Sequence, residues 1–500
     1  MFKKILIANR GEIAIRVARA CRELGICPVG IFSSADEYSR HLRHMDEAYL
    51  VGDPPPQESY LNIQAIMAAA EEAGVDAIHP GYGFLAENPR FAEACEASGI
   101  VFIGPSSKAL ALVGDKVASR STVKKVGVPI IPGMQIAERE MTSFKKIAEQ
   151  VGYPVIVKAS MGGGGKGMRI VRTEKELEAS IEAGKREAKS AFGDETVYLE
   201  KYIERPRHIE FQILRDKHGN TLHLFERECS IQRRHQKIVE ETPSTVLDAE
   251  LRQRMGEAAK KVIEASEYTN AGTVEFLLDE SRNFYFLEVN ARVQVEHPIT
   301  EMVTGVDLVR HQIMIAAGSK IDLKQSSVEQ RGHAIEARIY AEDPENNFLP
   351  CPGKILFLNE PDGPGVRVDS GIYQGWDVPP YYDPILSKLI VWAENRDMAI
   401  KRMSNALNNY VILGIKTNLG YLKRIMGTAK FIAGDYHTHF IDDNASELRM
   451  ADDNIQAAIA AASLIAMGRK EGEKALIQSG DIRRSTTPWQ EIGDWEICKR

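Results

Sequence analysis

Gly272-Thr-Val-Glu-Phe-Leu-Leu-Asp279 and Phe284-Tyr-Phe-Leu-Glu-Val-Asn290 are two short runs separated by a four-residue turn. Both are rich in aromatic and branched residues, which predicts an antiparallel hairpin. With the turn centred on Ser281-Arg282, Glu275 falls directly opposite Glu288. Opposed carboxylates repel across a ladder, so a fold that keeps them gains from a cation there. Thr273 and Asn290 flank the pair on the same face, while Val274, Phe276, Leu278, Leu287 and Val289 form the other. The hairpin therefore reads as a hard-metal site backed by an apolar face. Magnesium or manganese with a substrate phosphate is the natural occupant, because such ions prefer few carboxylates plus phosphate oxygens. The plain alternative is an exposed strand pair carrying ordinary surface acids.

Around this hairpin lies a chain of 500 residues, 44% hydrophobic and 27% charged, long enough for about three globular domains. Its formal net charge of -7 argues against a broad cationic face for nucleic acid. The cysteines at 21, 27, 95, 229, 351 and 498 form no C-x-x-C pair, which argues against a disulfide framework or a structural zinc site. A reduced, cytoplasmic compartment is expected. The first residues enter a short apolar strand without a leader pattern, and no run reaches the roughly 20 apolar residues of a membrane span.

Residues 1–113 alternate short apolar runs (5–8, 29–32, 77–79, 101–103) with helical patterns, predicting a parallel α/β domain. The loop after its first strand, Asn9-Arg10-Gly11-Glu12, lacks the spaced glycines of a dinucleotide fingerprint. Residues 114–330 mix hairpins and helices, an α+β pattern, and residues 331–446 read as a smaller α+β domain packed on the second. Beyond 447, Asp453-Asn454 can cap a helix over 455–467. An irregular tail follows it, and Trp489 and Trp495 there mark either a docking segment or burial on the same chain.

Met161-Gly-Gly-Gly-Gly-Lys-Gly-Met168 is a phosphate-cradling loop by composition. The segments on either side, 154–159 and 168–172, both read as strands. A Rossmann loop would lead into a helix, and a Walker loop would need glycine at Ser160 and Ser or Thr at Gly167. Strand, glycine loop, strand is instead a flap able to close over a triphosphate. Lys158 on its first strand and Lys116 at a helix start are candidate phosphate charges, and residues 197–203 form a strand that can meet a purine with its backbone edge.

These residues resemble the ATP-grasp fold. More narrowly, the chain resembles biotin carboxylases, the ATP-dependent part of acetyl-CoA, pyruvate and related acyl-CoA carboxylases. The carrying stretches are Ile7-Ala-Asn-Arg-Gly-Glu-Ile-Ala-Ile-Arg16, His79-Pro-Gly-Tyr-Gly-Phe-Leu-Ala-Glu-Asn88, Gln232-Arg-Arg-His-Gln-Lys237, Asn290-Ala-Arg-Val-Gln-Val-Glu-His-Pro298 and Arg331-Gly-His-Ala-Ile-Glu-Ala-Arg338. The resemblance implies an N-terminal α/β domain over 1–113, an ATP-grasp domain over 114–330 with a mobile lid at about 133–203, and a C-terminal domain over 331–446. It places Lys116, Lys158, Gly164, Gly165, Glu200, Lys201, Tyr202, Ile203, His208, Gln232 and His235 on ATP, and Glu275, Glu288 and Asn290 on the metal, with two ions expected. Lys237, Arg292, Gln294 and Val295 would surround bicarbonate, with Glu296 as general base and Arg338 facing biotin. Tyr82 and Gly83 would lie at the biotin end. The family's dimer contacts match Arg19, Glu23 and Arg367, although Pro364 stands where an aromatic is common.

In an extended 292–296 segment, Arg292, Gln294 and Glu296 share one face just past the metal hairpin. An arginine, an amide and a carboxylate are thereby aligned beside a γ-phosphate, suited to fixing bicarbonate in line and taking its proton. No Met-Lys-Met biotinyl attachment sequence occurs in the chain. The biotin is thus expected on another polypeptide or domain, with a carboxyl-transferring partner for the second half reaction. Two competing readings are another ATP-grasp ligase forming an acyl-phosphate, and a silent ATP-binding scaffold protein.

Overall fold

The computed structural model describes residues 1–133, 141–159, 168–192, 195–234 and 236–449. Positions 164, 165 and 235, the helix expected at 455–467 and the two tail tryptophans lie outside the described residues.

The first strand, Lys4–Ile7, is apolar on consecutive positions, and Ile5, Leu6 and Ile7 are fully buried. Only a strand covered on both faces tolerates that pattern, which is the signature of a parallel sheet between helices. Five parallel strands follow in the order Glu47–Gly52, Cys27–Ser33, Lys4–Ile7, Ala77–His79, Val101–Phe102. The order reverses beside Lys4–Ile7, and in such sheets ligands bind at the carboxyl ends of the strands flanking that switch. Here the two loops at the switch are tied together by Asn9, whose Nδ2 donates to Pro80 O (2.8 Å) and Tyr82 O (2.7 Å). Tyr82 and Gly83 are thereby fixed at the site this topology favours.

A separate three-stranded sheet, Arg169–Val171, Val155–Ala159, Val197–Lys201, carries Lys158 and Glu200. Phe144, Val155, Val157, Val171, Leu177 and Leu199 form its own small core against the helices Met141–Val151 and Glu174–Phe192.

The hairpin forms the edge of an eight-stranded antiparallel sheet. Its order is Phe284–Asn290, Asn270–Leu278, Arg207–Arg215, Thr221–Arg233, Gln236–Thr242, His333–Tyr340, Ile385–Ala393, Val366–Ser370. The last three strands come from the region read as a third domain. That region continues the second region's sheet, with Val239 paired to Ala337, and adds only two-stranded sheets of its own. Among the described residues, no helix is long and apolar enough to cross a membrane.

Two local expectations need correction. Glu275 does pair with Glu288, but the ladder slips by one residue: Phe276 pairs with Phe286, and Leu278 with Phe284. Leu287 is the extra residue of a β-bulge, so the core face of this strand is Phe284, Phe286 and Val289. Without the bulge, Glu288 would share a face with Phe286. The second correction concerns residues 292–296. The strand ends at Asn290, and the chain then runs irregularly to the helix His297–Thr304, with Pro298 in its first turn.

Candidate active site

The eight-stranded sheet places charged side chains beside one another from strand to strand. Glu288 pairs with Glu275, Glu275 with Glu210, and Glu210 with Arg227. Glu210 and Arg227 are fully buried, and Arg227 Nε donates to Glu210 at 2.5 Å. Into this row comes Lys237 from Gln236–Thr242, whose Nζ donates to Glu210 (2.5 Å), Glu275 (2.8 Å) and Glu296 (2.7 Å). Three carboxylates on one ammonium hold its pKa well above the ordinary lysine value, although burial opposes the charge.

Glu296 is the centre of the arrangement. It is fully buried, with Lys237 on Oε1 and Arg338 Nη2 on Oε2 at 2.9 Å. Burial disfavours its charge, but Lys237, Arg338 and Arg227 outweigh that and hold the carboxyl well below its usual range. Arg338 Nε also donates to Glu240 Oε1 at 2.6 Å. Burial lifts the Glu240 carboxyl to about 7, with Arg338 opposing and Glu296 adding to the rise.

The irregular segment after Asn290 still gathers its polar groups. Arg292 donates to Gln294 Oε1 (2.8 Å), Asn290 Oδ1 (3.2 Å) and Glu87 Oε2 (3.0 Å), and Glu87 also accepts from the backbone N–H of Ala291 (2.7 Å). This leaves Asn290 Nδ2 and Gln294 Nε2 buried without a hydrogen-bond partner among the described residues. Unpaired buried donors are costly, and two beside an arginine suit an oxyanion.

The metal pair also fits its expected occupant. Glu288 is exposed to solvent, yet partial dehydration followed by repulsion from Glu275 raises its pKa, with Lys116 opposing. On Glu275, Lys237 and His208 overcome burial and depress the pKa. One carboxylate already compensated and one destabilised by its neighbour is a donor set that a divalent cation relieves. Asn290 Oδ1 is engaged by Arg292, so its service as a third ligand requires that contact to shift.

His208 and Gln232 sit together at this hairpin. Gln232 Nε2 lies 2.6 Å from His208 Nδ1, and His208 Nε2 is 3.0 Å from Glu275, close but out of hydrogen-bond alignment. Lys158 is bound to Glu200 at 2.7 Å, and Arg120 also donates to that buried carboxylate. Lys201 turns its Nζ onto the carbonyls of Gly152 and Tyr153 (3.0 Å each), while the N–H groups of Lys201 and Tyr202 are taken by Pro132 and Pro154. Tyr202 OH is 3.3 Å from His439 Nε2. Tyr82 donates its hydroxyl to Glu12.

The sequence reading missed Glu87, Arg120, Glu210, Arg227, Glu240 and Glu336. Glu336 is fully buried opposite Glu240, and neither of its oxygens has a hydrogen-bond partner among the described residues. Signals existed for Glu87 and Glu336, which stand inside the His79–Asn88 and Arg331–Arg338 stretches. Arg120 lies on the helix Lys116–Lys125, and Glu210, Arg227 and Glu240 lie on strands whose polar residues read as a wet face.

Family models match almost the whole of this unit: "Biotin carboxylase, N-terminal domain" over residues 1–110, "Carbamoyl-phosphate synthase L chain, ATP binding domain" over 115–324, and "Biotin carboxylase C-terminal domain" over 336–443. The chain is 52% identical over 443 residues to a biotin carboxylase of Nostoc sp., covering 88% of this chain and 99% of that one. The chain belongs to the biotin carboxylase family. It is also 51% identical over 443 residues to biotin carboxylase 1 of Bacillus subtilis, covering 88% and 98% of the two chains. A crystal structure of the biotin carboxylase domain dimer of Hydrogenobacter thermophilus 2-oxoglutarate carboxylase, holding MgADP, ADP and bicarbonate, is 48% identical. It superposes with a TM-score of 0.85, covering 90% of this chain and all of that one. The ATP-grasp fold and the carboxylating, ATP-dependent ligase activity expected from the motifs thus stand on relatives covering the whole catalytic unit.

Proposed function

We propose that Glu296 is the base of an ATP-dependent carboxylation of biotin, and that the residues around it hold bicarbonate. One observation carries this reading: a buried carboxylate clamped by Lys237 and Arg338, beside Arg292 and the Asn290 and Gln294 amide nitrogens that have no hydrogen-bond partner among the described residues. Arg292, Gln294 and the backbone at Val295 orient the anion. Glu296 accepts the bicarbonate proton, the freed oxygen attacks the γ-phosphorus of ATP, and the bond to the β-phosphate oxygen breaks to release ADP. Carboxyphosphate then splits into CO2 and phosphate, the phosphate takes the N1′ proton of biotin, and the nitrogen attacks CO2. Arg338 stabilises the ureido enolate formed on the way.

Glu296 is a weak base while both cations sit on it. Arriving anions compete for Lys237 and Arg338, so the base strengthens only when its substrates are present. Magnesium or manganese at Glu275 and Glu288, when bound, supplies charge neutralisation along the β- and γ-phosphates. Lys116 and Lys158 add positive charge there, with the glycine loop over the triphosphate, His235 beside it, and residues 200–203, His208 and Gln232 around the nucleotide. Glu200 holds Lys158 in place.

The domain division at 113, 330 and 446 belongs to the same proposal, as does a cytoplasmic location. The partners are a separate biotin-bearing carrier and a carboxyl-transferring protein, with a second copy docking at the exposed Arg19 and Glu23. Arg367 serves that interface from beneath, since its guanidinium is committed to Glu301 (2.8 Å) and Asp369 (2.7 Å). The test is ADP release by purified protein with magnesium, bicarbonate and free biotin. Biotin-stimulated, bicarbonate-dependent turnover is expected, and its absence from folded protein contradicts the reading.

A further inference from the structure

Lys388 stands at the middle of Ile385–Ala393, a strand otherwise almost wholly apolar, and its side chain is completely buried. A buried lysine is costly unless its ammonium is fully paired, so its partners show what the fold secures with it. Nζ donates to the carbonyl of Val295 at 2.8 Å, lies 3.1 Å from Glu12 Oε1, and is 3.9 Å from Asp369 Oδ2. Across the ladder, Lys388 pairs with Arg338 on one side and Asp369 on the other. Glu12 in turn accepts from the Tyr82 hydroxyl, and the ring of Tyr82 lies 5.9 Å from Nζ.

These contacts converge from three parts of the chain. Val295 belongs to the irregular segment that no strand pairing holds, so its carbonyl takes its position from the groups that bind it. Lys388 is one such group, immediately before Glu296. Glu12, in the first turn of the helix Gly11–Glu23, and Tyr82, in the loop after Ala77–His79, both lie at the switch point of the parallel sheet. Asp369 is bound in turn by Arg367, which anchors the assembly from the far side.

We propose that Lys388 is a positioning residue that sets the Val295–Glu296 backbone for bicarbonate and, through Glu12, the Tyr82 loop for biotin. The inference rests on the placement of bicarbonate at 292–296 and biotin at Tyr82. It assigns no chemical step to Lys388, which touches no reacting atom. Its function is to keep two substrate ends in one register, a task the nucleotide end does not share.

Two variants test this by steady-state kinetics, with melting temperature and nucleotide affinity measured alongside. Lys388→Met should raise the KM for both bicarbonate and free biotin by about tenfold or more, with the KM for ATP within twofold of the parent. Glu12→Gln leaves Lys388 on Val295 but weakens the tether to Tyr82, so it should raise the KM for biotin several-fold and leave that for bicarbonate near its parent value. If Lys388→Met does not fold, Glu12→Gln still reads the split between biotin and bicarbonate. Unchanged constants for bicarbonate and biotin in folded Lys388→Met, a parallel rise for ATP, or a rise for bicarbonate in Glu12→Gln equal to that for biotin each overturn the assignment. A parent protein without biotin-stimulated turnover would count against the function itself; a parent that turns over beside an unaffected Lys388→Met counts against Lys388 alone.

Discussion

Glu240 and Glu241 are neighbours on one strand, each 1% exposed, yet their surroundings oppose each other. Glu241 has both oxygens filled: His333 Nε2 at 2.5 Å, Arg396 at 2.7 and 3.0 Å, and the Tyr436 hydroxyl. Burial works against its charge, but His333 and Arg396 more than compensate and bring its pKa down to about 2. Glu240 has one oxygen on Arg338 and the other without a partner among the described residues, and burial carries it to about 7. A strand turns successive side chains to opposite faces, so a single peptide step separates a structural staple from the edge of a reaction site. Burial does not distinguish the two residues. Completeness of pairing does, because groups left waiting are the ones a ligand can use.

The comparison breaks most severely at Arg338. Replacing it with methionine leaves Glu240, Glu296 and Glu336 buried together with one cation fewer, and kcat should fall by about 10³-fold, within the range for lost transition-state charge stabilisation. Steady-state ADP release measures this. On the other face, Glu241→Gln should cost about 3 kcal/mol of folding stability, following the displacement of its pKa from the usual carboxylate value to about 2, read as a lowered denaturant midpoint.

The pH dependence sharpens the contrast because the signs differ. Glu241 is depressed, so its contribution is complete above the ordinary carboxylate pKa of 4.5 and is lost as pH falls from there toward about 2. Glu240 is raised, so its contribution is complete below 4.5 and is lost as pH rises toward about 7. Unfolding free energies across pH 2–8 should show both slopes, shared with the other shifted carboxylates such as Glu288 and Glu336 above and Glu275 and Glu296 below, and Glu240→Gln should reduce only the upper one. The smallest effect belongs to a surface pair such as Lys108–Glu267, both more than 70% exposed, where Lys108→Ala should change stability by about 0–1 kcal/mol.

The parallel sheet was legible because consecutive apolar residues such as Ile5, Leu6 and Ile7 have only one kind of strand to occupy. The hairpin that sets Glu275 opposite Glu288 was legible, but the bulge was not: Leu287 is apolar like its neighbours, and a slipped ladder leaves no mark on residue type. The end of the strand at Asn290 was hidden in the same way, although Pro298 marks the helix that follows. Glu210 and Gln212 alternate with apolar residues and read as a solvent face, and Arg227, between Glu226 and Glu228, reads as part of a charged surface run, whereas the fold buries both faces of their strands. Alternation reports which side a residue lies on, and the cover over that side comes from elements distant in sequence. Lys388 was the clearest signal left unread, a lone charge within an apolar strand.

The most direct measurement sets Glu296→Gln beside Glu241→Gln in biotin-stimulated ADP release, with nucleotide affinity and melting temperature recorded for both. We expect Glu296→Gln to lose about 10³-fold in kcat while still folding, at a lowered melting temperature, and keeping its nucleotide, and Glu241→Gln to lose stability while keeping its KM for bicarbonate. Turnover retained by Glu296→Gln, or a fall in nucleotide affinity that matches its loss of activity, would contradict the role of Glu296 as the base.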